Sequence, residues 1–330
     1  RWPKVWSNPM PEMHLGQAVD RAIEDAMARD ETIILIGEDA PMLRAPLFAR
    51  FGADRVLAAP ISESAFFGAA AGAAMAGLRP VVELYMVDFI AVAFDSVLNH
   101  IAKLEAFSGG SWKAPLVIRA PSGAGYGDGG QHGQSLWGSL AAIPGLTVVV
   151  ASTPADAYGL MTSALAHDGP VVFLEPKLLS EDWLEFLGRG GRKNLEFDIP
   201  ADGAFGQVPK PPHAVPFGLA AIRREGSDVT VASLAVGVHR AIQAAERLED
   251  RGVSCEVIDL RSLRPLDTVT LVEWVRMSGR LVVVVVDLWE FGLSGVVGAI
   301  CLEAGLSPVF ARVCVDDSLP YARHLEDAAV

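Results

Sequence analysis

Two periodicities alternate along this chain. Over residues 15–29 apolar side chains recur three and four positions apart, which predicts an amphipathic helix. A short unbroken apolar run follows at 32–36 and ends on the acidic turn Gly37-Glu38-Asp39, as a buried strand would. The exchange then repeats. An Ala- and Gly-rich stretch at 64–77 predicts a helix packed very closely on a neighbour, 80–84 a strand, and 89–107 a long helix. Strands are predicted at 116–119, 147–151 and 171–175, with a helix at 154–167 for which Thr153 is the N-cap and Pro154 the first residue. Strands alternating with helices predict an α/β fold with a parallel, doubly wound sheet.

Between 177 and 216 the pattern breaks. Gly188, Gly190, Gly191, Pro200, Pro209, Pro211, Pro212 and Pro216 predict a linker, with one short helix near 181–187. A second alternation follows, with strands at 229–234, 255–259, 281–287 and 309–315 and helices at 238–251, 269–278 and 294–304. The chain thus divides into a first domain at 12–180, a linker at 181–216 and a second doubly wound domain at 217–330.

Composition narrows the function classes. Hydrophobic residues make up 51% of the 330 and charged ones 20%, the balance of a well-cored globular protein. The net charge of -13 argues against nucleic acid as a partner. The strongest apolar run, 281–286, suits a strand rather than a membrane span. Cys255, Cys301 and Cys314 are too few and too scattered for a disulfide framework, which points to a reducing, cytoplasmic setting.

Two segments carry candidate chemistry. Pro60-Ile61-Ser62-Glu63 places a carboxylate between an extended segment and the Ala/Gly helix. That is either a helix start capped by Ser62, with Glu63 on the helix dipole, or a ligand site at the carboxyl edge of the sheet. Residues 121–134, PSGAGYGDGGQHGQ, hold six glycines in fourteen positions, a density suited to a bent loop whose backbone approaches something closely. His132 within it is either a surface histidine or an acid/base and substrate ligand. Gly127-Asp128-Gly129 imitates the start of the thiamine-diphosphate metal motif, in which an Asn pair further on completes the magnesium site. The only asparagines are Asn8, Asn99 and Asn194, so the motif is incomplete.

Together these residues resemble a known family. Ile61-Ser62-Glu63, the run from Gly68 to Glu83, Gly37-Glu38-Asp39, Ser108-Gly109-Gly110, Gln131-His132-Gly133-Gln134, Pro144-Gly145-Leu146, the run from Pro170 to Glu175 and that from Val257 to Asp267 follow in order over 12–326. They closely resemble the beta subunit of the decarboxylating component of 2-oxo acid dehydrogenases, the pyruvate, branched-chain and acetoin types. The resemblance implies a transketolase-like pyrimidine-binding domain followed by a transketolase C-terminal domain. It implies a thiamine-diphosphate site shared with an alpha subunit in an alpha-2-beta-2 heterotetramer. The diphosphate and its Mg2+ would lie on the alpha chain, and a lipoyl-bearing acyltransferase would take the acyl group from a small 2-oxo acid.

By the same resemblance, Glu63 would activate the cofactor through its pyrimidine ring nitrogen and should be buried. Ile61, Tyr85 and Phe89 would line the pyrimidine pocket, with Tyr85 where Met is common. His132 would face substrate or the lipoyl group. Main-chain carbonyls of Leu116, Ala164, Leu165, His167 and Gly169 would hold a monovalent cation, K+. The chain departs from the family in a shorter segment after Asp39, in Val92 where glutamine is common, and in Asp287-Leu288-Trp289-Glu290. A subunit of a split transketolase-like or acyloin-forming carboligase is the alternative enzyme. A non-catalytic scaffold is the alternative outside catalysis, and intact Glu63, Phe89 and His132 argue against it.

Overall fold

The computed structural model describes residues 11–123, 130–180, 205–209 and 213–315. The short helix expected at 181–187 and the Gly127-Asp128-Gly129 imitation lie outside them.

The first half supplies six strands of a seven-stranded sheet. Its spatial order is Ser262–Arg264, Thr147–Val150, Val171–Pro176, Val117–Ser122, Arg79–Glu83, Ile33–Glu38 and Val56–Ala59. All neighbours are parallel except Ser262–Arg264, which runs antiparallel to Thr147–Val150. The helices Leu15–Met27 and Pro154–Ala166 cover one face, where Leu15, Val19, Ile23, Met161 and Phe173 form the core. Leu15, Ala18, Val19, Ala22, Ile23 and Met27 are all buried, the stripe that the apolar spacing predicts. The helix Glu63–Met75 lies on the other face, with Phe67, Val82, Ile118 and Trp137 in its core. Thr153 caps Pro154–Ala166 as expected, its hydroxyl accepting from the Asp156 amide at 3.2 Å.

The long helix expected over 89–107 is instead a series of short pieces. Val87–Ala91 is a tight 3-10 turn, Ser96–His100 a wider π turn, Ile101–Lys103 another 3-10 turn and Leu104–Phe107 one α turn. One cause is competition for a carbonyl. The Ser64 hydroxyl donates to the Val92 oxygen at 2.6 Å, where a continuous α-helix would place the Ser96 amide. The backbone is thereby bent around the start of Glu63–Met75.

The second sheet is ordered Val309–Val315, Arg280–Leu288, Val229–Ser233, Cys255–Asp259 and Ala221–Arg224, parallel except at the last pair. Ionic contacts weld it to the first unit. Asp259 accepts from Arg223 at 2.7 and 3.1 Å and from Ser152 at 3.0 Å, and Asp156 takes both Arg223 and Arg261. Among the described residues no helix is long and apolar enough to cross a membrane.

Glu256, on the strand Cys255–Asp259, is 1% exposed, and among the described residues neither of its carboxyl oxygens has a hydrogen-bond partner. Burial, reinforced by Glu225, pushes its carboxyl up to about 8. A raised folded-state value means that Glu256 supports the fold fully below the ordinary carboxylate range. That support is lost as pH rises towards about 8. Glu256→Gln should therefore melt higher than the parent at about pH 9, while the two converge at about pH 5. Parallel melting curves across that range would refute the assignment.

Candidate active site

Five parallel strands of the first sheet deliver their carboxyl ends to one edge, where ligands bind in folds of this kind. Glu38, Glu83, Ser122 and Pro176 are strand ends, and Pro60 to Glu63 continues from Val56–Ala59. Gly37 permits close approach there, since a side-chain carbon on it would come within 2.5 Å of the Glu83 carbonyl oxygen.

Glu63 occupies the first position of its helix and is only 7% exposed. Ser62 stands at the N-cap position, yet its side chain makes no capping bond. The ordinary helix-start reading thus loses its cap, and the burial expected of Glu63 is present. Ile61 beside it is 75% exposed. Burial and the nearby carboxylates of Asp39 and Glu63 raise the Glu38 carboxyl above its ordinary value. Along the helix Gly68, Ala69, Gly72 and Met75 form an exposed face, and a side-chain carbon added at Gly68 or Gly72 would touch nothing within this chain.

Phe89 and His132 are brought together, their ring centroids 5.4 Å apart and nearly perpendicular. Next to Phe89 the buried Asp88 accepts from both nitrogens of Gln134, at 3.2 Å from the backbone and 2.8 Å from the side chain. Among the described residues its second oxygen has no partner. Burial raises the Asp88 carboxyl, and the Gln134 bonds only partly oppose this. Lys177, 1% exposed, donates to the His132 carbonyl. Ser135 donates to the Val286 carbonyl at 2.6 Å, so the second domain also fixes this loop.

Tyr85 leaves the strand on the face of Leu15–Met27, whereas Phe89 packs against the core on the Glu63–Met75 side. The Tyr85 hydroxyl meets Arg44 and borders a buried ionic cluster that no sequence motif marks. Arg119, 0% exposed, donates to Glu175 at 2.7 and 3.0 Å, to Glu83 at 3.1 Å and to Asp20. Arg44 adds bonds to Glu83 at 3.2 and 3.3 Å and to Asp20 at 3.3 Å. Burial would raise the Glu83 carboxyl, but the guanidinium groups of Arg119 and Arg44 outweigh it and hold it below the ordinary range. The available signal was a charged residue inside each of three apolar strand runs, at Glu83, Arg119 and Glu175.

Four of the five carbonyls expected to hold K+ already accept hydrogen bonds. Leu116 accepts from the Val171 amide at 3.0 Å and Ala164 from the His167 amide at 3.2 Å. Leu165 accepts from Arg79 at 3.0 Å, and His167 accepts from the same guanidinium. Among the described residues no group of three or more His, Cys, Asp or Glu could hold a metal ion.

Residues 11–181 match the family model described as transketolase, pyrimidine binding domain, and residues 218–330 match transketolase, C-terminal domain. The acetoin:2,6-dichlorophenolindophenol oxidoreductase beta subunit of Cupriavidus necator is 40% identical, covering 83% of this chain and 79% of that protein. The pyruvate dehydrogenase E1 component beta subunit of Rickettsia conorii is 36% identical over 97% of this chain and 94% of its own. The 2-oxoisovalerate dehydrogenase beta subunit of Bacillus subtilis is 35% identical over 96% and 94%. A solved structure described as a split gene transketolase, inactive beta4 tetramer, superposes with a TM-score of 0.73 at 21% identity, covering 96% of this chain and 97% of its own.

Removing Arg119 would strip Glu175 of its guanidinium partner and leave Asp20 and Glu83 to Arg44. Arg119→Met should cost about 3–5 kcal/mol in urea unfolding, and adding Glu83→Gln should recover part of it. A cost below about 1 kcal/mol would show the cluster to be dispensable.

Proposed function

Because the chain belongs to the family of beta subunits of 2-oxo acid dehydrogenase decarboxylating components, built on two transketolase-type domains, we propose that Glu63 is the residue through which it activates thiamine diphosphate. The family depends on that cofactor and pairs the beta chain with an alpha chain. The observation that carries the reading is a carboxyl buried at a helix start, without a capping role for Ser62, at the carboxyl edge of a parallel sheet.

The residues present fit the pyrimidine half of the cofactor. Glu63 offers a buried hydrogen-bonding carboxyl, Ile61 an exposed apolar surface beside it, and Phe89 an aromatic ring close to His132. When bound, thiamine diphosphate supplies the carbon nucleophile and the electron sink for loss of carbon dioxide from a 2-oxo acid. Glu63 holds and exchanges a proton at the pyrimidine ring nitrogen. A buried carboxyl suits that task, because water does not compete for the bond. His132 faces the substrate or the lipoyl acceptor, with Phe89 against its ring. Tyr85 is left out of the pocket, because it packs on the opposite face of the sheet from Phe89, with its hydroxyl on Arg44.

The uncovered helix face of Gly68, Ala69 and Gly72 supports close packing of a second chain next to Glu63. We assign the diphosphate and its Mg2+ to that alpha chain, the assembly to an alpha-2-beta-2 heterotetramer, and the acceptor to a lipoyl acyltransferase. The unpaired state of Cys255, Cys301 and Cys314 supports a cytoplasmic setting. Potassium is left out of the proposal, because the Arg79 guanidinium already lies on two of the five oxygens.

Co-expression with the alpha chain, followed by decarboxylation assays on a panel of 2-oxo acids with an artificial electron acceptor, tests this reading. Glu63→Gln should lower kcat by at least about a hundredfold while the two chains still co-elute. Parental turnover in that variant would remove Glu63 from the mechanism.

A further inference from the structure

Both sides of the His132 segment are held by buried ionisable groups. Gly130 and Gly133 flank the histidine, so its backbone has little local reason to settle in one conformation. Two side chains from separate strand ends constrain it. Asp88, four residues beyond the Leu84 that follows Arg79–Glu83, accepts from the Gln134 amide and from its side chain. Lys177, directly after Val171–Pro176, donates its ammonium to the His132 carbonyl. The Gln134 carbonyl in turn accepts from the Gly123 amide at 3.1 Å.

These contacts converge on one short element. The Lys177 ammonium also lies 3.6 Å from the Met86 sulfur, two residues before Asp88 and three before Phe89. His132 is therefore tied by its backbone to the same segment that carries the ring packed against it. Burying an ammonium and a carboxyl is costly, and well-packed apolar residues would stabilise such a place as well or better. What charged groups add is directional hydrogen bonding stronger than that of neutral ones.

We propose that Asp88 and Lys177 are positioning residues that clamp the His132 backbone, so that its imidazole stands against Phe89 and faces the reacting substrate. The proposal rests on the role of His132 given above. Neither residue need touch substrate. Lys177 acts through the His132 carbonyl, and Asp88 acts through Gln134.

The test uses the assembled two-chain enzyme. Diethyl pyrocarbonate modifies accessible imidazoles, and mass spectrometry of the His132 peptide gives its rate of modification. Lys177→Met should raise that rate by about fivefold or more and lower kcat by about tenfold. The apparent affinity for thiamine diphosphate should stay within about threefold of the parent. Lys177→Arg, which keeps a charged donor in a bulkier side chain, should recover part of the His132 protection and of the kcat lost in Lys177→Met. Gln134→Ala removes one clamp bond from a half-buried position, and it decides the matter should Lys177→Met not fold. His132 reactivity within about twofold of the parent in every folded variant would overturn the clamp. Raised reactivity with unchanged kcat would overturn its positioning role. An inactive parent complex would overturn the proposed function alone, since the modification rates still measure the clamp.

Discussion

The guanidinium of Arg119 lies where Asp20, Glu83 and Glu175 converge, and the candidate site rests on that convergence. Three parallel strands end there side by side, and each continues into a segment of the candidate site. Arg79–Glu83 leads to Tyr85, Asp88 and Phe89, Val117–Ser122 to the glycine-rich loop, and Val171–Pro176 to Lys177. Hydrogen bonds along the strands fix their spacing, but they do not fix the direction in which the chain leaves the sheet. The ionic cluster braces those exits against the helix Leu15–Met27, in surroundings where charge interactions are strong. A sheet edge braced in this way can present Phe89 and His132 at a constant separation.

The alternation of strands and helices was legible in the sequence because fully buried parallel strands are continuous apolar runs and their covering helices are striped. Glu63 was legible through the residues around it. Other features escaped for identifiable reasons. Strands of three residues, such as Glu12–His14, Phe205–Gln207 and Ser262–Arg264, are too short to show a period. The bend near residue 92 goes with a hydrogen bond from Ser64, far away in sequence, to the Val92 carbonyl. Tyr85 and Phe89 are four residues apart and look like neighbours on paper. The turn between them sends their side chains to opposite sides of the sheet. Asp88 and Lys177 become meaningful only once Gln134 and the His132 carbonyl are placed against them.

The site is built on one side only. Its interior side is dense, with Glu63, Asp88 and Lys177 all buried. Its outward side shows Ile61, Val92 and a helix face of small residues to solvent. An asymmetry of this kind suits a chain whose reactive groups are preorganised before a second wall closes over them, because the ordering cost is met within the fold itself.

The strand Ser262–Arg264 belongs by sequence to the second half and by hydrogen bonding to the first sheet. With Arg223 and Arg261 bound to Asp156, it makes the two halves mechanically continuous without the covalent connection between them. The two halves should consequently melt as one cooperative unit. A single protease cut in the connecting segment would leave a nicked but intact particle, and neither half is a natural place to truncate the chain.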